Sequence, residues 1–165
     1  MKQEFLNAMA KAAQSVTVVT TDGPGGRRGV TVTAMCSVSV DAPSPTLLVC
    51  IHHLSPTCSA ILENGVFCAN LLGESQAHIS DSFAGRSNAK GCDKFACAEW
   101  TERVTGAPVL VGALAAFDCR LNQHHRISTH HLFVGGIRSV ETSSLNSPLV
   151  YHDRHYSRTE ALEVR

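Results

Sequence analysis

The chain has 165 residues, of which 44% are apolar and 17% charged, and its 14 Lys and Arg balance 14 Asp and Glu. That length and composition suit one globular domain over 1–165 and exclude a disordered or low-complexity chain. Charge neutrality leaves nothing to offset a phosphate backbone, no apolar run approaches membrane length, and the first residues lack a charged-then-apolar signal pattern; the expectation is a soluble, cytoplasmic protein that binds neither nucleic acid nor membrane.

In chain order, Phe5, Leu6, Met9, Ala12 and Ala13 recur at helical spacing and predict an amphipathic helix over 4–14. Residues 16–21 are β-branched throughout, residues 22–26 form a Gly-Pro turn cluster, and a second β run extends over 29–40, which together predict a hairpin. The turn 41–45 leads to a continuous apolar strand at 46–51, expected to be buried on both faces. Ser55-Pro56 caps a helix that Gly65 closes, and a strand follows at 66–72. A short helix over 75–84, loops through 86–105, strands over 109–122 and 128–140, and a last short strand at 149–151 complete the pattern. Sequential, hairpin-compatible strands outnumber helices, so the predicted architecture is mainly β: an antiparallel, Greek-key-like barrel with peripheral helices.

The seven cysteines are odd in number, and Cys36, Cys50, Cys68 and Cys119 lie in apolar runs, where Cys packs as a small hydrophobe. No Cys-x-x-Cys pair occurs, and the Cys92 to Cys97 spacing is wrong for a zinc knuckle. Reduced thiols are expected. The nine histidines include the adjacent pairs His52-His53, His124-His125 and His130-His131, but neighbours on a strand diverge, so no metal site is expected.

Three segments carry the candidate chemistry. The run Gly29-Val-Thr-Val-Thr-Ala-Met-Cys-Ser-Val-Ser39 places Thr31, Thr33, Ser37 and Ser39 at nearly alternate positions. A flat heteroaromatic ring can approach the main chain over such short side chains and find hydrogen-bond partners there; the plain alternative is a half-exposed strand with a wet face. Ser55 and Thr57 flank a helix start suited to an anion, with Arg86, Lys90 and Lys94 downstream as sources of charge. The alternative there is an ordinary N-cap near solvated basic residues. In Ser128-Thr-His-His-Leu-Phe-Val-Gly135, His130 shares a strand face with Leu132 and Val134 while His131 shares the other with Phe133, so the two imidazoles cannot enter one pocket. Gly23-Pro-Gly-Gly26 is a hairpin turn and no dinucleotide fingerprint.

The ordered set of these pieces resembles the short-chain flavin reductase family, which has the FMN-binding split β-barrel fold and includes the reductase components of two-component flavin-dependent monooxygenases. Gly29-Val-Thr-Val-Thr-Ala34, Ser37-Val-Ser39, Asp41-Ala-Pro43 and Leu47-Leu-Val-Cys-Ile51 carry the likeness, with Phe67-Cys-Ala-Asn-Leu-Leu72, Ser82-Phe-Ala-Gly85, Lys94-Phe95 and Trp100. It continues through Ala107-Pro-Val-Leu110, Ala113-Leu-Ala115, Phe117-Asp-Cys119, the His130 strand, and Pro148-Leu-Val-Tyr151 with Arg154 and Tyr156. The resemblance implies flavin contacts from Thr31, Val32, Thr33 and Ala34, with Cys36 and Ser37 near them. It further implies phosphate or ribityl contacts from Ser55 and Thr57, ring contacts from Asn70 and Leu71, and phosphate-side contacts from Phe83, Ala84 and Lys90. His130 falls at the nicotinamide side as the catalytic position, and Tyr156 serves the cofactor or a partner subunit. Three departures stand out: Ser128 replaces a family Gly, Gly136 replaces a frequent Glu, and the turn 41–45 is about two residues longer than the family pattern, a change a surface loop tolerates.

By this resemblance the chain transfers hydride from NADH, or NADPH, to FMN or FAD and supplies the reduced flavin to a separate monooxygenase. A homodimer is implied. Hydride transfer needs aligned rings more than an acid–base pair, which accords with a sequence that offers none. The alternatives are a non-catalytic flavin-binding electron-transfer protein and a reductase of another small acceptor such as a metal corrinoid.

Overall fold

The computed structural model describes residues 1–41, 43–86, 93–144 and 147–162. Its elements are α1 (Lys2–Ala10), β1 (Gln14–Ser15), β2 (Thr17–Thr21), β3 (Arg28–Val32), β4 (Met35–Ser39), β5 (Thr46–His52), α2 (Pro56–Asn64), β6 (Val66–Leu71) and α3 (Ala77–Phe83). There follow β7 (Trp100–Glu102), β8 (Pro108–Leu110), β9 (Ala115–Ile127), β10 (His130–Thr142), β11 (Val150–His152) and β12 (His155–Ser157). Short 3₁₀ turns lie at Glu74–Gln76 and Lys94–Cys97.

The β-branched run of β2 and the segment beyond the Gly-rich turn pair as the expected hairpin, from Thr17 opposite Val32 to Thr21 opposite Arg28. The main sheet has the order β3-β2-β6-β9-β10-β5-β4, with every pairing antiparallel. β3 and β4 are therefore its two edges, although only Thr33 and Ala34 separate them in the chain. One stretch of backbone hands its hydrogen bonds from β2 to β5, and two residues can span the edges only if the sheet is rolled. The barrel is closed by this hand-over and remains split where neither ladder reaches, between β3 and the last residues of β5.

Two apolar cores flank the rolled sheet. One is the barrel interior, where Val19, Val32, Leu47, Val49, Ile51, Phe67 and Phe133 meet Cys58 and Ile61 of α2. The other lies outside, where Val16, Val18, Cys68 and Leu72 meet Phe83 of α3, Phe95 and the residues of β8. Alternation sends Val18 to one core and Val19 to the other, so all five β2 residues are buried. Gly29 is required where α3 approaches: a Cβ there would stand 2.5 Å from the Phe83 ring.

Several boundaries differ from expectation. The first helix stops at Ala10 and buries none of its side chains. The 29–40 run is two strands, for the reason just given. The 46–51 strand alternates half-buried and buried residues, because its outer face borders the split and is not covered by a second layer. The single strand expected over 109–122 is β8 and the start of β9, separated by a turn at Val111–Leu114 that places Gly112 at a positive φ of 75°. Within 86–105 the structure adds β7, paired with β8, and the C-terminal region adds β12, paired with β11.

Candidate active site at the split of the barrel

Three adjoining compartments run along the open edge of β3. The central one, a cavity of about 280 Å³, is lined by Val30 to Ala34 on one lip, Cys50, Ile51 and His52 of β5 on the other, and by Ser55 and His130. Next to it a basic compartment of about 280 Å³ is lined by Arg27, Arg28, Gly29, Val30, Ser55, Pro56, Thr57 and Lys94, among others. At the other end an aromatic compartment of about 170 Å³ gathers Thr31, Val32, Thr33, Ser80, Ala84, Arg86, Tyr151 and Tyr156. Together they reach the size of a small-molecule site.

Short side chains make the central slot. Val32 turns into the barrel core, and Met35 packs against that core with its Sδ accepting from Thr17 Oγ1 at 3.6 Å. Neither fills the split. The Thr31 hydroxyl donates to the Ser80 carbonyl at 2.7 Å, which ties β3 to α3 and leaves the oxygen as an acceptor. With those side chains turned away, the slot along residues 31–34 has room for a flat ring.

The basic compartment is built by two anchors. Ser55, in extended conformation, caps α2 by accepting the Thr57 N–H at 3.3 Å, and Pro56 follows at the first helical position. The Ser55 O–H stays available to donate. Asn64, at the other end of α2, pins the β2–β3 turn: its Oδ1 accepts the Gly25 N–H at 2.6 Å, and its Nδ2 donates to Thr21 Oγ1 at 2.9 Å. That turn delivers Arg27, whose guanidinium sits 4.2 Å over the Phe95 ring, and Arg28. Lys94 donates to the Phe83 carbonyl at 3.2 Å from the opposite wall. Arg27, Arg28 and Lys94 outnumber the carboxylate Asp93 in this lining, and with the helix start they make a place suited to a phosphate.

At the aromatic end, the Tyr156 hydroxyl lies 2.8 Å from both Ser80 Oγ and Asp81 Oδ1. Its single O–H serves the carboxylate, and Ser80 donates back to it. Burial raises the phenol's pKa, so Tyr156 stays protonated. Tyr151 meets it with ring centroids 5.6 Å apart, and Arg86 stands 5.7 Å over the Tyr151 ring and 3.7 Å from Asp81.

His130 enters the central compartment at the first position of β10, directly opposite His52. Its Nδ1 lies 3.0 Å from Thr129 Oγ1. His131 turns to the other face as the strand period demands, stacking on Phe133 at 5.6 Å and on His124 at 5.8 Å. Burial, then His124 and Arg126, holds the His131 pKa below the usual imidazole range. Among the described residues no group of three or more His, Cys, Asp or Glu is placed to hold a metal ion.

The structure thus brings Thr31, Val32, Thr33, Ala34, Ser55, Thr57, Ala84, Tyr156 and His130 to the walls of these three adjoining compartments. It does not bring the others. Cys36 and Ser37 line a separate apolar groove, because the hand-over to β5 carries them past the split. Asn70 is fully buried: its Nδ2 donates to the Val18 carbonyl and Thr20 Oγ1, and its Oδ1 accepts the Leu110 N–H at 2.8 Å. Leu71 pairs with Thr17 and Ala115 inside the sheet and lines none of the three compartments. The Phe83 ring belongs to a buried cluster with Phe95 and Trp100. Arg86 joins the tyrosines and not the basic compartment, and Lys90 lies outside the described residues. Reasoning from sequence missed Arg27, Arg28 and His52. The basic pair at the end of a hairpin turn was a visible signal; His52 became one only once β5 and β10 were paired.

The family model described as a flavin reductase like domain matches residues 9–160, and the chain belongs to that family. Among curated relatives, it is 45% identical over 152 residues to a protein of Methylorubrum extorquens (strain PA1) named FMN reductase (NADH) RutF 2, covering 92% of this chain and 86% of that one. Among solved structures, BorF, the flavin reductase component of a bacterial two-component tryptophan halogenase, superposes with a TM-score of 0.86 at 29% identity, over 98% of this chain and 100% of the other. The styrene monooxygenase flavin reductase from Pseudomonas putida S12 gives 0.83 at 26% identity, over 96% and 99%.

Proposed function

We propose that this chain is an NADH-dependent flavin reductase that reduces FMN in the split of its barrel and hands the reduced flavin to a separate monooxygenase. The observation that carries this reading is the graded cleft: a cationic end, a slot of small side chains, and a histidine at its rim. Family membership and the relative named FMN reductase (NADH) support it, as do structural relatives that are themselves reductase components.

A bound flavin would accept a hydride from the nicotinamide. The protein's part is binding and alignment. Ser55, Thr57, Arg27, Arg28 and Lys94 hold the flavin phosphate, while Thr31, Thr33 and Ala34 border the ring. His130 orients the nicotinamide at the open side, and Tyr156 and Ala84 bound the far end. Cys50 stands beside the ring as a neutral thiol, its pKa raised by burial. The described cysteines are all free, as in a reducing cytoplasm, and no helix of the described residues is long and apolar enough to cross a membrane.

The functional unit is a homodimer on this reading. The groove that takes Cys36 and Ser37 is otherwise lined largely by Met35, Val40, Pro45, Leu47, Phe117 and Val140, and Val38, Val40 and Val140 are more than half exposed. Phe5, Leu6 and Met9 of α1 also face outward. An apolar surface of this kind is ordinarily covered, and a second copy supplies the same groove in return.

Turnover is the test. The purified protein is expected to oxidise NADH only when FMN is added, with saturation in both. An NADH signal that decays equally with and without flavin would overturn the assignment.

A further inference from the structure

His52 is the last residue of β5 and lines the central compartment, just before the turn that ends at Ser55. Its Nδ1 accepts the Leu54 N–H at 3.2 Å, and its carbonyl accepts the Ser55 N–H at 2.9 Å. The first of these bonds fixes the tautomer: with Nδ1 accepting, the neutral ring carries its proton on Nε2. The ring meets His130 edge to face, with centroids 5.1 Å apart and planes at 81°, and is backed by His53, stacked at 4.9 Å. Across the sheet His52 and His130 are direct partners, so the backbone ladder holds their Cα atoms opposite each other and brings the two rings within reach.

We propose that His52 is a positioning residue for the nicotinamide, holding the plane of the His130 imidazole through the edge-to-face contact while its own Nδ1 braces the turn that presents Ser55. This rests on the reading of His130 as the residue at the nicotinamide side. Two surfaces of one ring then do separate work. The ring wall serves the dinucleotide, and Nδ1 serves the turn and, through Ser55, the flavin phosphate. His52 carries no reacting proton in this scheme and acts only through its neighbours.

Two substitutions separate the surfaces. In His52→Asn the amide oxygen stands where Nδ1 stood and keeps the Leu54 bond, but no ring remains. The expected result is a rise of about three- to tenfold in KM for NADH that exceeds any change in the Kd for FMN, with kcat within about twofold of the parent. In His52→Phe the ring remains and the acceptor is lost, so KM for NADH returns toward the parent value while the Kd for FMN rises. The opposite pattern, with His52→Asn indistinguishable from the parent in KM and only His52→Phe impaired, would make His52 a turn brace and overturn the inference. His130→Ala is the control. If it raises KM and His52→Asn does not, the His52 inference alone fails; if His130→Ala leaves KM unchanged, the nicotinamide reading of His130 fails with it.

Discussion

Ser128 occupies the first position of the two-residue turn between β9 and β10, with a φ of 53°. A non-glycine residue there bears the cost of the left-handed region, and two-residue hairpins favour Gly at such a place. This explains in physical terms the one family glycine that the chain lacks beside His130. Ser128→Gly is expected to stabilise the protein by about 0.5–1 kcal/mol, since relief of strain exceeds the entropy added to the unfolded chain. Thermal unfolding would show it as a rise in Tm; a fall would mean that the serine contributes bonds that outweigh the strain. At this scale the sequence was partly legible. Small residues at 31–34 pointed to an open strand face, and in the structure they line the central cavity. Asn70 could not be read correctly, because only the fold reveals that the Leu110 N–H and the Val18 carbonyl consume its amide.

Two imidazoles at the β5–β10 pairing, His131 on β10 and His53 just beyond β5, share an electrostatic consequence. His131 and His53 both have pKa values lowered, in each case first by burial and then by neighbouring positive groups, Arg126 among them. A lowered histidine pKa means that the folded state binds fewer protons than the unfolded one just below the ordinary imidazole value. Stability therefore rises with pH through that window and is lost as pH falls. Denaturant midpoints are expected to increase from about pH 5 to about pH 7.5, and His131→Phe, which keeps the stack on Phe133, is expected to flatten that slope. A slope unchanged by the substitution would assign the effect elsewhere. Elements were legible where local chemistry was explicit: the Gly-rich turn, the Ser55-Pro56 cap and the Gly65 stop all appear where expected. β12 was not, because its turn uses Asp153 and Arg154, both at positive φ, in place of the Asn-Gly that flags such a hairpin. Tertiary bonds compensate: Asp153 N–H donates to the Ala10 carbonyl, and Arg154 donates to Asn7 Oδ1.

For the molecule as a whole, the decisive feature is a strand shared between two ladders. A sequence reports a β run over 29–40 but not which partner each half takes, and the split that makes the cleft exists only in that choice. The same hand-over exposes the groove at Met35, Phe117 and Val140. Sedimentation is expected to give a species of twice the 17.6 kDa chain mass, held together by this surface, and Val140→Glu is expected to shift it toward the monomer. A parent protein that sediments as a monomer at micromolar concentration would remove the proposed dimer. The proposed place of the flavin, in the split against residues 31–34, is probed best by Thr33→Trp, which fills the slot. Titrating FMN and following its fluorescence should give a Kd raised about tenfold or more in the variant, with Tm unchanged. An unaltered Kd in a folded Thr33→Trp protein would place the flavin elsewhere.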